Sequence, residues 1–186
     1  VRYPKRDRTT IHRALKVCPD EAPTAGTTEL PFIGDEQLRE VLRTDISVAH
    51  LASSNGQWKA ATGLVGSVVE ALLHWLLQRP ESQTSIAERR TRGELEGTPR
   101  SDIRRWDLAN YINVAGTLDF IKEDTETPAL LTKDFRNLIH PGRVERLGQQ
   151  CDRNTAFSAL AAIDREINDL HEKTVEYMFA STETAG

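Results

Sequence analysis

Arg136, Asn137 and His140 stand together in the run KDFRNLIHPGR, Lys133 to Arg143. A guanidinium can chelate two phosphate oxygens and stabilise charge added in a transition state, while an imidazole moves a proton near neutral pH. Converging on one point, the two suit a phosphodiester. With a ribose 2′-hydroxyl as the attacking group, the protein would supply positioning, charge and proton transfer, which is the chemistry of metal-free RNA cleavage. Pro141 disfavours the helical conformation at the residue before it, so the spacing predicts a helix that ends at Ile139 with His140 at its C-cap. Arg136 then lies one turn back on the same face. Asn137 adds an amide beside them, and Arg143 and Arg146 extend positive charge toward neighbouring phosphates.

Each residue also has a plainer reading. Arg136 would equally satisfy Glu70 or Asp134 at a helix crossing, where breaking a partly buried pair is costly. His140 alone reads as a C-terminal cap that favours the helix dipole when protonated. Asn137 would bond a backbone carbonyl of the closing turn. Glu70 is either a brace for Arg136 or the outward residue of an incompletely buried helix, and His74, one turn on, either joins a proton-transfer group or is structural.

The elements that must position these residues read as helices throughout, which predicts an all-α antiparallel bundle of four to five main helices over residues 34–180. Residues 1–33 hold four prolines and no sustained periodicity, so an irregular arm is expected, with a short helix at Ile11 to Val17. A first helix runs from Asp35 to about Ser53 on Leu38, Leu42, Ile46, Ala49 and Leu51. A second, Gly56 to Pro80, is apolar nearly all round and belongs at the centre, carrying Glu70 in its middle. Residues 79–102 are polar and charged and read as a solvated loop that includes the basic run Glu88 to Arg92. Ser101 or Asp102 caps a third helix, with Ile103, Trp106, Tyr111, Ile112, Ala115, Leu118 and Ile121 on its buried side. Thr127-Pro128 opens a fourth with Leu130, Leu131, Phe135, Leu138 and Ile139 inward. The last helix runs from about Asn154 to Phe179, and residues 181–186 form a fraying tail. Trp58, Trp75 and Trp106 read as core or dimer-interface anchors.

Composition bounds the rest. At 186 residues and 38% hydrophobic the chain supports a core without staples. A net charge of −4 excludes a molecule that binds nucleic acid by overall charge, leaving a local basic patch. Cys18 and Cys151 are too few for a disulfide framework or thiolate metal site, and no HExxH, HxH or paired CxxC spacing occurs, so neither metal nor cofactor is expected. No phosphate-cradling glycine loop occurs either. The longest apolar run, Val68 to Leu77, is interrupted by Glu70 and His74, so no membrane span is expected. The start, Val rather than Met, suggests an excised piece; without an export leader the expected setting is cytoplasmic.

A helical bundle with an apolar, Glu-bearing second helix, GSVVEALLHWLL, and an RN-x-x-H-P element closing a later helix resembles the HEPN superfamily, the higher eukaryotes and prokaryotes nucleotide-binding domains, over about residues 35–180. The resemblance implies a metal-independent ribonuclease of a toxin–antitoxin, abortive-infection or other antiviral defence setting, usually a homodimer that joins the motifs of two protomers. Residue by residue it implies Arg136, Asn137 and His140 as the catalytic set, with Glu70 supporting Arg136. The gap between Arg136 and His140 is shorter than the family's usual one. RNA is the implied substrate and an antitoxin or other protein the implied partner. The alternative is a non-catalytic helical module that binds a nucleotide or a protein on the same face.

Overall fold

The computed structural model describes residues 29–95, 97, 99, 102–137, 142, 145 and 150–183, with backbone alone at 136, 137 and 176–183. The expected helix at Ile11 to Val17, Cys18, His140, Arg143, Arg146 and the end of the tail lie outside them. The described residues form an all-α bundle and contain no strand. In chain order the helices are α1 (Glu36–Ser54), α2 (Trp58–Leu77), α3 (Pro80–Thr91), a 3₁₀ turn (Ile103–Arg105), α4 (Leu108–Thr117), α5 (Glu123–Asn137) and α6 (Arg153–Glu183).

Helix α1 starts one residue later than expected, because Asp35, expected in the first turn, is its cap: the carboxylate accepts from the Leu38 amide at 3.0 Å. Leu42, Ile46 and Ala49 turn inward, but Leu51 is 61% exposed, because the buried stripe continues instead through Ala52 and Ser53. Helix α2 is the centre of the bundle and packs against α1, α4, α5 and α6. Val65, Val69, Leu72, Leu73 and Leu77 are essentially inaccessible, each leucine among them contributing roughly 1.5–3 kcal/mol by leaving water. By length and composition alone this 20-residue helix could cross a bilayer, which the sequence reading did not allow for. Its apolarity has another cause here, since 56% of that window is buried inside the bundle.

The expected loop at 79–102 begins as a helix. Pro80 ends α2 and opens α3 at the first helical position, where its missing N–H costs nothing. The α2 carbonyls left over at that junction are satisfied by side chains of the new helix: Ser82 Oγ donates to Leu76 O at 2.8 Å and Gln83 Nε2 to Leu77 O at 2.6 Å. Because α3 buries little beyond Ser82 and Ile86, it shows no aliphatic stripe in the sequence. Its basic end is engaged within the chain. Arg89 pairs with Glu94 and Asp119, and Arg90 lies 5.7 Å above the Trp106 ring and donates to Pro99 O.

The third expected helix is two pieces. Asp102 caps the 3₁₀ turn and Asp107 caps α4, each carboxylate accepting a backbone amide. Trp106 between them is extended; two competing caps five residues apart break the helix. The expected inward residues Trp106, Tyr111, Ile112, Ala115, Leu118 and Ile121 are buried, and Ile103 is half-buried.

Helix α5 begins a turn earlier than Thr127-Pro128. Glu123, Asp124 and Glu126 favour the positive end of the helix dipole, and Pro128 falls inside. A proline there leaves the carbonyl four residues back without its donor. Arg165 of α6 fills the place, its guanidinium donating to Asp124 O at 3.2 Å. The seam with α6 buries the small side chains Thr125, Ala129 and Thr132, so Leu131, expected inward, is 46% exposed. Helix α6 opens on a reciprocal cap between Asp152 and Thr155 and buries Leu160, Ile163 and Leu170 as its spacing predicts. Ahead of α1, Leu30, Phe32 and Ile33, expected at the end of the arm, are core residues; the Phe32 ring packs against Trp75 and His171 at 5.9 and 5.8 Å.

Candidate functional site

Arg136 and Asn137 are the last described residues of α5, and the turn before them meets Cys151. Lys133 pairs with Asp134 at 3.3 Å, and Phe135 O accepts from the Cys151 thiol at 3.6 Å. Cys151 is half-buried; burial is the main cause that pushes its thiol up, against opposing contributions from the Thr62 hydroxyl and the Lys59 charge. The C-terminal end of α5 therefore sits level with Thr62, in the N-terminal half of α2.

Two clefts open along α2 from this level. The first, of about 920 Å³, is apolar and shallow, running along Trp58, Ala60, Gly63 and Leu64 with Cys151 at its wall. Trp58 leans on Phe157 of α6, which Arg153 covers at 5.1 Å. The second, of about 400 Å³, is formed by Ser67, Glu70, Ala71 and His74 on one face of α2, by Arg104 of the 3₁₀ turn and by Tyr111 of α4. Ser67 lines both, so the two clefts meet there.

Glu70 is thus half-buried on a cleft wall rather than pointing into bulk water. It lies eight residues beyond Thr62 on α2, about 12 Å along the axis at 1.5 Å per residue, so the described contacts bring it together with His74, Arg104 and Tyr111. Its charge helps burial raise the Tyr111 phenol, burial being the larger cause. Tyr111 Oη donates to Ile103 O at 2.7 Å and holds the 3₁₀ turn against α4. The His74 ring meets Tyr111 edge-on at 5.8 Å, and its Nε2 is shielded from solvent without a hydrogen-bond partner. Arg104 is held by Asp102, whose carboxyl the guanidinium and the Arg104 amide lower to about 2.

Ser67, Arg104 and Tyr111 carry no functional signal in the sequence. Their spacing from Glu70 carries no signal, because the 3₁₀ turn and α4 are brought over α2 by tertiary packing. Among the described residues no group of His, Cys, Asp and Glu is arranged to hold a metal ion. No protein-family model, curated protein or solved structure matches this chain.

Proposed function

We propose that this chain is a HEPN-like helical domain that cleaves RNA without a metal, in a bacterial defence or toxin setting. Arg136 stabilises the charge that builds on the phosphate, Asn137 orients the phosphate or ribose, and His140 transfers the proton. The 2′-oxygen attacks phosphorus as its proton leaves to an imidazole, and the 5′-oxygen departs with a proton, leaving a 2′,3′-cyclic phosphate. A homodimer supplies two His140 side chains for the two proton transfers. Arg143 extends the positive charge along the strand; Glu70, about 12 Å further along α2 beside Arg104 and Tyr111, lies away from the arginine it was expected to support.

The observation that carries the reading is the RN-x-x-H-P run itself, whose Arg136 and Asn137 lie on a helix that packs directly on the Glu70-bearing α2. The test is incubation of the purified protein with total tRNA and a short fluorescent RNA in EDTA, beside Arg136→Ala and His140→Ala variants shown to be folded by circular dichroism. Cleavage by the wild type alone, with cyclic phosphate ends, supports the assignment; no cleavage, or equal cleavage by the variants, removes it. The apolar cleft at Trp58, Gly63 and Leu64 favours a second reading, a non-catalytic module whose ligand is a protein segment.

A further inference from the structure

Glu166 lies midway along α6, on the stripe that also buries Ile163 and Leu170, and is fully enclosed. Neither of its carboxyl oxygens has a hydrogen-bond partner. An ionised carboxylate in such a place costs several kcal/mol, so the closed bundle holds the neutral acid. Burial, and secondarily the negative charge of Asp169 one turn on, keep its titration well above the usual carboxylate range.

The same stretch of α6 holds the start of α5. Arg165 donates to Asp124 O at 3.2 Å, Asp169 accepts from Lys122 N at 2.9 Å, and Glu172 accepts from Lys122 Nζ at 2.7 Å. Lys122 Nζ is also 3.3 Å from Asp169. Of the charged groups on elements packed against α6, Arg39 of α1 donates to Ile33 O, Arg43 pairs with Glu40 while its Nε is shielded without a partner, and His50 acts on Asp164; Lys59 of α2 acts on Cys151, and Glu70 and His74 line the cleft with Tyr111; Lys133 of α5 pairs with Asp134, and Glu126 lies over Gly116. Among the described residues no hydrogen bond reaches the Glu166 carboxyl, and the one charge that acts on it is that of Asp169. Glu166 stands one residue after Arg165 and one turn before Asp169, the two residues by which α6 holds the start of α5, so a charge appearing there adds to that of Asp169 beside these contacts.

We propose that Glu166 is a proton-operated latch on the α5–α6 seam: neutral, it leaves the first turns of α5 clamped to α6, and ionised, it opens them. The open seam exposes the carboxyl to water, so the closed form binds one more proton than the open form. Closure is therefore complete below the ordinary glutamate range and is lost as pH rises toward the closed-state titration point. Within that interval the opening equilibrium grows about tenfold per pH unit. The latch stands on the geometry of Glu166 alone. That it would also move Arg136, at the far end of α5, rests on the function proposed above.

The test is hydrogen exchange read by mass spectrometry on the full chain from about pH 5 to about pH 7, corrected for intrinsic exchange, with Glu166→Gln and Glu166→Leu beside the wild type. The wild type is expected to lose protection in the α5 peptides about tenfold per unit relative to α2, and both variants to show no such slope. Equal slopes in wild type and variants, or a flat wild type, would overturn the latch. Should the Gln variant fail to fold because its amide is unsatisfied, the Leu variant decides. An unfolded Leu variant overturns the latch as well, since it would mean that the carboxyl itself holds the native state. RNA cleavage is not part of this readout, so the latch and the nuclease reading fail separately.

Discussion

The Arg165 guanidinium bonds the Asp124 carbonyl, the acceptor that Pro128 leaves without an intrahelical donor. A proline in mid-helix is thereby tolerated through a contact 41 residues away in sequence.

The two residues should therefore be coupled. Arg165→Ala removes a solvent-exposed hydrogen bond and should cost about 0.5 kcal/mol, at the low end for such bonds. In a Pro128→Ala background the backbone amide returns to that carbonyl, and the same Arg165→Ala change should cost close to nothing. Urea unfolding of the four proteins gives the coupling energy directly. Equal costs of Arg165→Ala in the two backgrounds would mean that the guanidinium is no substitute for the missing amide.

Helix α3 offers a sharper contrast between sequence reading and structure. In a solvated loop, Ile86→Ala would change stability by no more than about 0.5 kcal/mol. Ile86 is 2% exposed in the core cluster, so truncation should cost about 2–4 kcal/mol. The midpoint of denaturant unfolding measures this, and a shift near zero would restore the loop.

What was legible in the sequence follows from where each helix gets its stability. Helices α2 and α6 carry long apolar stripes, and α1 is announced by Gly34 and the acidic pair Asp35 and Glu36. In α3 the burial is one isoleucine and a serine, too little for periodicity to register. The early start of α5 depends on Arg165 and Asp169 from across the seam, which no local pattern contains. The site divides the same way. Arg136, Asn137, His140 and Glu70 stand out by residue type and spacing, while Arg104 and Tyr111 reach the Glu70 cleft only through the break at Trp106. Glu166 sits in register with the apolar stripe of α6, where its position rather than its residue type marks it as buried.

Cys151 should report on the end of α5. Burial raises its thiol, so thiolate forms at higher pH than in a free cysteine. In a Cys18→Ser background, alkylation by iodoacetamide should begin at higher pH than in a short model peptide, and more slowly at every pH below that point. Thr62→Val removes the hydroxyl that favours the thiolate and should move the onset higher still. An onset at or below the peptide's would mean that the Thr62 hydroxyl and the Lys59 charge together outweigh burial.

Asp169 ties the clamp to the buried acid, which makes its substitution depend on pH. The carboxylate is 5% exposed and accepts the Lys122 amide with Lys122 Nζ alongside, so Asp169→Asn weakens charge-assisted contacts and should cost about 1–3 kcal/mol near pH 5. At that pH Glu166 is neutral in the folded protein and indifferent to the change. As pH rises, the wild type loses stability because unfolding lets Glu166 give up its proton, and the Asp169 charge widens that gap in proton affinity. Without the Asp169 charge the folded Glu166 ionises at lower pH, and the loss levels off sooner. The stability difference between variant and wild type should therefore shrink between about pH 5 and about pH 8. Urea unfolding at the two values tests it. A difference that stays constant would show that the two carboxyls titrate independently, and one that widens would mean that Asp169 relieves the buried acid instead of opposing its charge.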